Sequence, residues 1–135
     1  MSQKSRYWTG AHTKHRLRYH FVWIPKYRKR VLRGKIAVRL KSLLYEAAEI
    51  NNWWIEELSI QLEHIYMLIQ KCLKERVSKV IQRLKVGTSR AIRLEFSELK
   101  EFLWGESFWA DGYFAETVGI QDDAIIKKYI KEQRE

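Results

Sequence analysis

The chain has almost no cysteine, one residue in 135, so Cys72 can form no internal disulfide. Placed at the end of an apolar run, that thiol reads as a small core side chain rather than a nucleophile. Proline is equally scarce: Pro25 alone, which excludes a proline-rich linker. No run approaches the roughly eighteen apolar residues of a membrane span, and Met1 to Arg6 leads into no apolar signal region. Repeats and low-complexity segments are also missing. These absences describe a reduced, cytosolic protein of one domain, residues 1–135, large enough to bury about two-thirds of its unfolded surface without a disulfide or metal to hold it.

Acidic residues are missing from one third only. Residues 1–45 hold thirteen Lys or Arg and no Asp or Glu, whereas residues 46–135 hold thirteen and sixteen, so the two parts carry +13 and −3. A field this one-sided suits a polyanion. With Tyr7, Trp8, Tyr19, Trp23 and Tyr27 interleaved, it points to nucleic acid rather than a membrane surface.

What is present alternates. Arg16 to Ile24 is aromatic and β-branched, with Leu17, Tyr19, Phe21 and Trp23 on one face, and predicts a first strand ended by Pro25. Gly34 to Ile50 carries Ile36, Leu40, Leu43, Leu44 and Ala47 at helical spacing, and Asn51-Asn52 breaks that helix. Trp53 to Ile60 and Leu62 to Gln70 predict two antiparallel strands, and Glu75 to Phe96 predicts a second helix in which Gly87 marks a kink or a close approach. Tyr113 to Val118 is the expected fourth strand. Asp122 and Asp123 open a tail helix that lies within 121–135. The order strand, helix, strand, strand, helix, strand is the split β-α-β of ferredoxin-like α+β folds with an antiparallel sheet, here with an appended C-terminal helix.

In Leu62 to Gln70, Ile65, Met67 and Ile69 face one way and His64, Tyr66, Leu68 and Gln70 the other. A histidine and a tyrosine side by side make a site floor or two satisfied polar groups at the edge of a core, and this stretch alone favours the second. In the tail, Tyr129 and Gln133 lie four apart on one helix face. A last turn so near the end of the sequence frays unless it docks, and the polar face of the third strand is one place to do so.

Several stretches together resemble a known family. They are Trp23 with Pro25-Lys26-Tyr27-Arg28 and Val31-Leu32, the His64 strand, Leu84 to Arg90, Leu103-Trp104-Gly105, Trp109 to Phe114, Thr117 to Gly119, and Lys128-Tyr129-Ile130 with Gln133. In this order the chain resembles, along nearly its whole length, the single-tyrosine transposases of the insertion-sequence 200/605 group, which are HUH (histidine-hydrophobic-histidine) nucleases.

The resemblance implies that Tyr129 attacks a scissile phosphate of single-stranded DNA, leaving a 3′-hydroxyl and a 5′-phosphotyrosine whose bond energy is kept for rejoining. It implies a divalent ion, Mg²⁺ or Mn²⁺, held with the help of His64 and Gln133. It further implies DNA with hairpin ends and a homodimer in which the tail helix of one subunit serves the histidine strand of the other. Tyr66 stands where the family has its second histidine, and Glu63 where it usually has Asp. A phenol with a pKa near 10 binds hard cations poorly. Three outcomes are open: water and substrate phosphate complete the shell, Glu63 or Tyr66 replaces the ligand, or the chain is a non-catalytic relative that binds hairpin DNA without cutting. For phosphate contacts the candidates are Lys14 and Arg16, the basic loop Lys26, Arg28, Lys29, Arg30 and Arg33, and Lys79, Arg83, Lys85 and Arg90 on the second helix. Tyr113 is a rival nucleophile without the helical pairing to Gln133. An RNA-binding ferredoxin-like module ranks last, because no RNP1 sequence is present.

Overall fold

A computed structural model of the chain describes residues 16–72, 75–99 and 107–117. Its strands are β1 (Arg16–Trp23), β2 (Trp54–Ile60), β3 (Ile65–Cys72) and β4 (Phe114–Thr117), and its helices α1 (Gly34–Asn51) and α2 (Val77–Glu95). The sheet order is β2-β3-β1-β4, with every neighbouring pair antiparallel. This is the expected α+β, ferredoxin-like arrangement. The tail helix expected within 121–135, and Trp104, lie outside the described residues, as do the side chains of Arg16 and Cys72.

The period-two pattern of β1 and β3 decides which face receives the helices. Phe21 and Trp23 of β1 join Ile65, Met67 and Ile69 of β3 in one core with Leu40, Leu44 and Ala48 of α1 and Val80, Ile81, Leu84 and Ile92 of α2. Both helices therefore cover the same face. The α1 helix stops as expected: Asn52 turns left-handed (φ 65°) and its N–H donates to the carbonyls of Ala48 and Glu49, a conformation asparagine adopts more easily than most side chains. Trp53 starts no strand because its N–H donates to the Ala48 carbonyl at 2.8 Å.

The segment 107–113 is a strap between β1 and α2. Pro25 bridges to Trp109, Lys26 N–H donates to the Phe108 carbonyl (2.9 Å) and Ala110 N–H to the Ile24 carbonyl (3.0 Å). From the helix side, Thr88 Oγ1 accepts the Trp109 indole N–H at 2.8 Å, and Ser89 Oγ accepts the Phe108 N–H at 3.0 Å. Burying Phe108 and Trp109 in the core thus leaves these four donors satisfied.

Gly87 is neither kink nor close approach. The α2 helix runs unbroken through it, the residue is exposed, and a Cβ built there meets nothing within 4 Å. Gly87→Ala should therefore raise unfolding free energy by about 0.5–1 kcal/mol, through lower unfolded-chain entropy alone. Urea denaturation reads this directly, and a loss of stability would mean that the site is sterically occupied.

Candidate functional site

The second face of the sheet is built from the alternate residues of the same strands. On β1 these include His20, which pairs with Leu68 across the β1–β3 ladder, one step along from the Val22–Tyr66 pair. The result is a row of four rings. His64 stands edge-on to Tyr66 (centroids 4.7 Å apart), Tyr66 stacks nearly parallel on His20 (5.5 Å, 13°), and His20 meets Phe114 of β4 edge-on (6.2 Å). His20, His64 and Tyr66 are all buried.

Polar satisfaction along this row is incomplete. Among the described residues, neither ring nitrogen of His20 has a hydrogen-bond partner, and Nε2 of His64 is buried without one. His64 Nδ1 lies 3.5 Å from a Glu63 carboxylate oxygen. Burial pushes both imidazoles below the usual histidine range. For His64, Glu63 opposes that effect and the positive charge of Arg28 adds to it. Both rings are thus held toward the neutral form, in which a nitrogen lone pair is available to a proton, a polar ligand or a metal ion. Leaving such groups unpaired costs about 1–3 kcal/mol each, which marks the row as more than packing.

The loop after β1 reaches this end of the row. Leu32 N–H donates to the Leu62 carbonyl at 3.0 Å, and Gln61 N–H to that of His64 at 2.9 Å, so the basic loop and the turn before β3 lie side by side. A buried histidine, a neighbouring carboxylate and an adjacent basic loop thus stand at one end of the row, the groups that a phosphate-bearing ligand would engage.

Comparison with known proteins identifies the family. Residues 13–133 match the family model described as "Transposase IS200 like". The chain belongs to the IS200-like transposase family. It is 35% identical over 125 residues to the transposase of insertion sequence element IS200 from Salmonella typhimurium, covering 93% of this chain and 82% of that one. It is 31% identical over 121 residues to the ISDra2 transposase TnpA of Deinococcus radiodurans, covering 90% and 86%. A crystal structure from Deinococcus radiodurans R1, assigned as a transposase, superposes with a TM-score of 0.74 at 28% identity and covers 93% of this chain and 97% of the other. A REP-associated tyrosine transposase bound to a REP hairpin shares the fold, with a TM-score of 0.61 at 13% identity over 96% of this chain and 68% of that one.

In this IS200-like transposase, the residues singled out from sequence fall into several groups. His64 and Tyr66 stand together as the strand pattern implies. Tyr129, Gln133 and Lys14 lie outside the described residues, as does the side chain of Arg16. Lys29, Arg30 and Arg33 line a cleft with Lys35 at the start of α1, whose first turn has no acid and no side-chain cap, so its positive dipole end adds to their charge. Arg83 is elsewhere: it donates to Asn51 Oδ1 (2.9 Å) at the far end of α1. Eighteen residues of helix, roughly 27 Å, separate it from Arg33. Lys85 ties the strap down, its ammonium donating to the carbonyls of Ala110 (2.8 Å) and Gly112 (2.7 Å). Burial depresses its pKa, and one N–H is left for another acceptor. Lys79 and Arg90 are exposed. Among the described residues the cations thus form separate patches, of which the basic loop is the one beside the turn that carries His64.

His20 was missed from sequence because the inward side of β1, with Leu17, Tyr19, Phe21 and Trp23, absorbs attention. The signal that finds it is the strand order, which sets β1 beside β3 and so puts His20 next to Tyr66. Among the described residues, no group of three or more His, Cys, Asp or Glu is gathered for a metal, and no helix is long and apolar enough to cross a membrane.

Proposed function

We propose that this transposase cuts and rejoins single-stranded DNA at hairpin-bearing insertion-sequence ends, with Tyr129 as nucleophile and a 5′-phosphotyrosine intermediate, in the manner of HUH nucleases. The observation that carries this reading is His64: a buried imidazole, held neutral, with Nε2 unpartnered and Nδ1 turned to Glu63. A carboxylate behind one nitrogen and an open second nitrogen is the usual arrangement of a metal-ligating histidine. His64 Nε2 would hold a divalent ion, Mg²⁺ or Mn²⁺, together with Gln133 and substrate oxygens. Such an ion would polarise the scissile phosphate and favour in-line attack.

The chain's own groups do the rest. The Tyr129 oxygen bonds to phosphorus as the bond to the 3′-oxygen breaks. The phenolic proton leaves the nucleophile and a proton reaches the 3′-oxygen, so charge and bond count balance. Reversal by a second 3′-end completes strand transfer without ATP. Lys14, Arg16, Lys26, Arg28, Lys29, Arg30, Arg33, Lys79, Arg83, Lys85 and Arg90 serve DNA phosphates, with Arg83 and Lys85 limited by the partners described above. Hairpin recognition is extended to this chain from its fold relative on a REP hairpin. A homodimer with the tail helix docked on its partner's histidine strand, and a cytoplasmic location on DNA, complete the reading, with 1–135 acting as one transposase domain.

One observation favours a second reading. Tyr66 occupies the second histidine position as a packed ring between His20 and His64, which suits a relative that binds hairpin DNA and no longer cuts. The two readings separate on one assay. Incubated with hairpin-bearing single-stranded DNA and Mn²⁺, the chain should form a covalent adduct that EDTA prevents and that mass spectrometry maps to Tyr129. Tight hairpin binding with no adduct would leave the second reading, and an adduct on Tyr113 would move the nucleophile.

A further inference from the structure

The basic loop contains two consecutive residues in a conformation that bulky side chains avoid: Tyr27 at φ 60° and Arg28 at φ 52°. Left-handed backbone at non-glycine residues costs about 1–3 kcal/mol each and persists only where the surroundings impose it. Here both ends are pinned. Pro25 is bridged to Trp109 and Lys26 N–H is bound to the Phe108 carbonyl on one side, Leu32 N–H is bound to the Leu62 carbonyl on the other, and Arg28 N–H closes the turn on the Pro25 carbonyl at 2.8 Å. Packing does not compensate, because Tyr27 is 58% exposed and Arg28 is exposed as well. Tyr27 meets the Lys26 ammonium 5.5 Å from its ring. The Arg28 side chain makes no hydrogen bond or ion pair among the described residues. The strained turn therefore has no evident structural return, and what it achieves is to hold an unengaged guanidinium on a loop that the Leu32 N–H to Leu62 carbonyl bond fixes beside the turn carrying His64.

We propose that Arg28 is the clamp on the scissile phosphate: its guanidinium binds the non-bridging oxygens of the phosphate that reacts, whereas the other loop cations contact the passing backbone. This rests on the nuclease reading and assigns a role within the same site. The chemistry favours arginine, whose planar fork offers two parallel N–H donors to a phosphate and keeps its charge at any working pH. A donor aimed where charge gathers in the transition state contributes far more than one on a distant phosphate.

The test pairs protein and substrate changes. A methylphosphonate replaces one charged non-bridging oxygen by a methyl group, at the scissile phosphate or at either neighbour. Binding to each DNA is measured by fluorescence anisotropy with Mn²⁺ in the non-cutting Tyr129→Phe chain, with and without Arg28→Gln. Adduct formation on unmodified DNA is measured in the Tyr129 chain. Arg28→Gln should slow adduct formation on the order of 100-fold, and Arg28→Lys should recover part of that. Its binding defect should vanish when the methylphosphonate is scissile and persist when it is at a neighbour. A defect that persists on the scissile methylphosphonate, or that vanishes only at a neighbouring position, would overturn the assignment. Failure of the nuclease reading is distinct: the unsubstituted chain then forms no adduct with unmodified DNA, and the clamp falls with it.

Discussion

His64→Ala is expected to slow metal-dependent adduct formation on the order of 1,000-fold, the equivalent of roughly 4 kcal/mol in the barrier, while changing hairpin affinity by no more than about twofold. Affinity should survive because the proposed phosphate contacts are spread over separate basic patches, and His64 belongs to none of them. The rate should not survive, because His64 Nε2 is the described nitrogen left open beside a carboxylate, and no described cluster of three potential ligands stands ready to replace it. Isothermal titration with Mn²⁺ gives a readout independent of turnover. His64→Ala should lose most of the binding heat, and Tyr66→His should gain affinity, since an imidazole replaces a phenol that stays protonated at neutral pH. An unchanged rate in His64→Ala would remove the metal role from this strand. If the unsubstituted chain forms no adduct and Tyr66→His forms one, the chain is a hairpin binder disabled at a single ligand.

The parts of this fold that were legible in the sequence depend on local periodicity. The alternation of β1 and β3 separates Phe21, Trp23, Ile65, Met67 and Ile69 from His64 and Tyr66 without any knowledge of the tertiary structure, because the pleat has a period of two. Asn51-Asn52 marks the end of α1 because an amide side chain tolerates the left-handed cap. What was not legible depends on long-range placement. His20 gains meaning only through the β1–β3 register. Lys85 resembles its exposed helical neighbours in sequence, yet carbonyls 25 and 27 residues away hold its ammonium. Gly87 suggested a bend, but nothing packs close to it, so the helix has no reason to yield. Trp109 is buried where Thr88, twenty-one residues away, can accept its indole N–H. The site divides in the same way: His64 and its loop could be found by pattern and resemblance, whereas the backbone strain at Tyr27 and Arg28 is visible only in dihedral angles.

Glu56→Ala should lower unfolding free energy by about 3–5 kcal/mol, a large share of the roughly 5–15 kcal/mol that holds a domain of this kind. The ladder of β2 and β3 shifts register between Ile55 and Glu57. This bulge re-aims the residue within it, and the two successive acids Glu56-Glu57 are its trace in the sequence. Glu56 accepts both arms of the Arg18 guanidinium at 2.7 Å and the Gln70 amide at 2.8 Å. Arg18 and Gln70 are themselves partners across β1 and β3. The side chains of Arg18 and Glu56 are only 12% and 7% exposed, so solvent screens the pair little. Removing the carboxylate takes from the nearly buried Arg18 guanidinium the two short bonds made to Glu56 and strips the Gln70 amide of an acceptor. Glu56→Gln keeps the shape and one acceptor and should lose less. The effect should extend to function, because this network ties three strands in the register that sets His20, Tyr66 and His64 on one face, and a slip of one residue would turn those rings to the opposite side. Urea midpoints measured beside Mn²⁺ affinity separate the two consequences. A loss under about 1 kcal/mol, the range of an exposed ion pair, would show that the network does not hold the register.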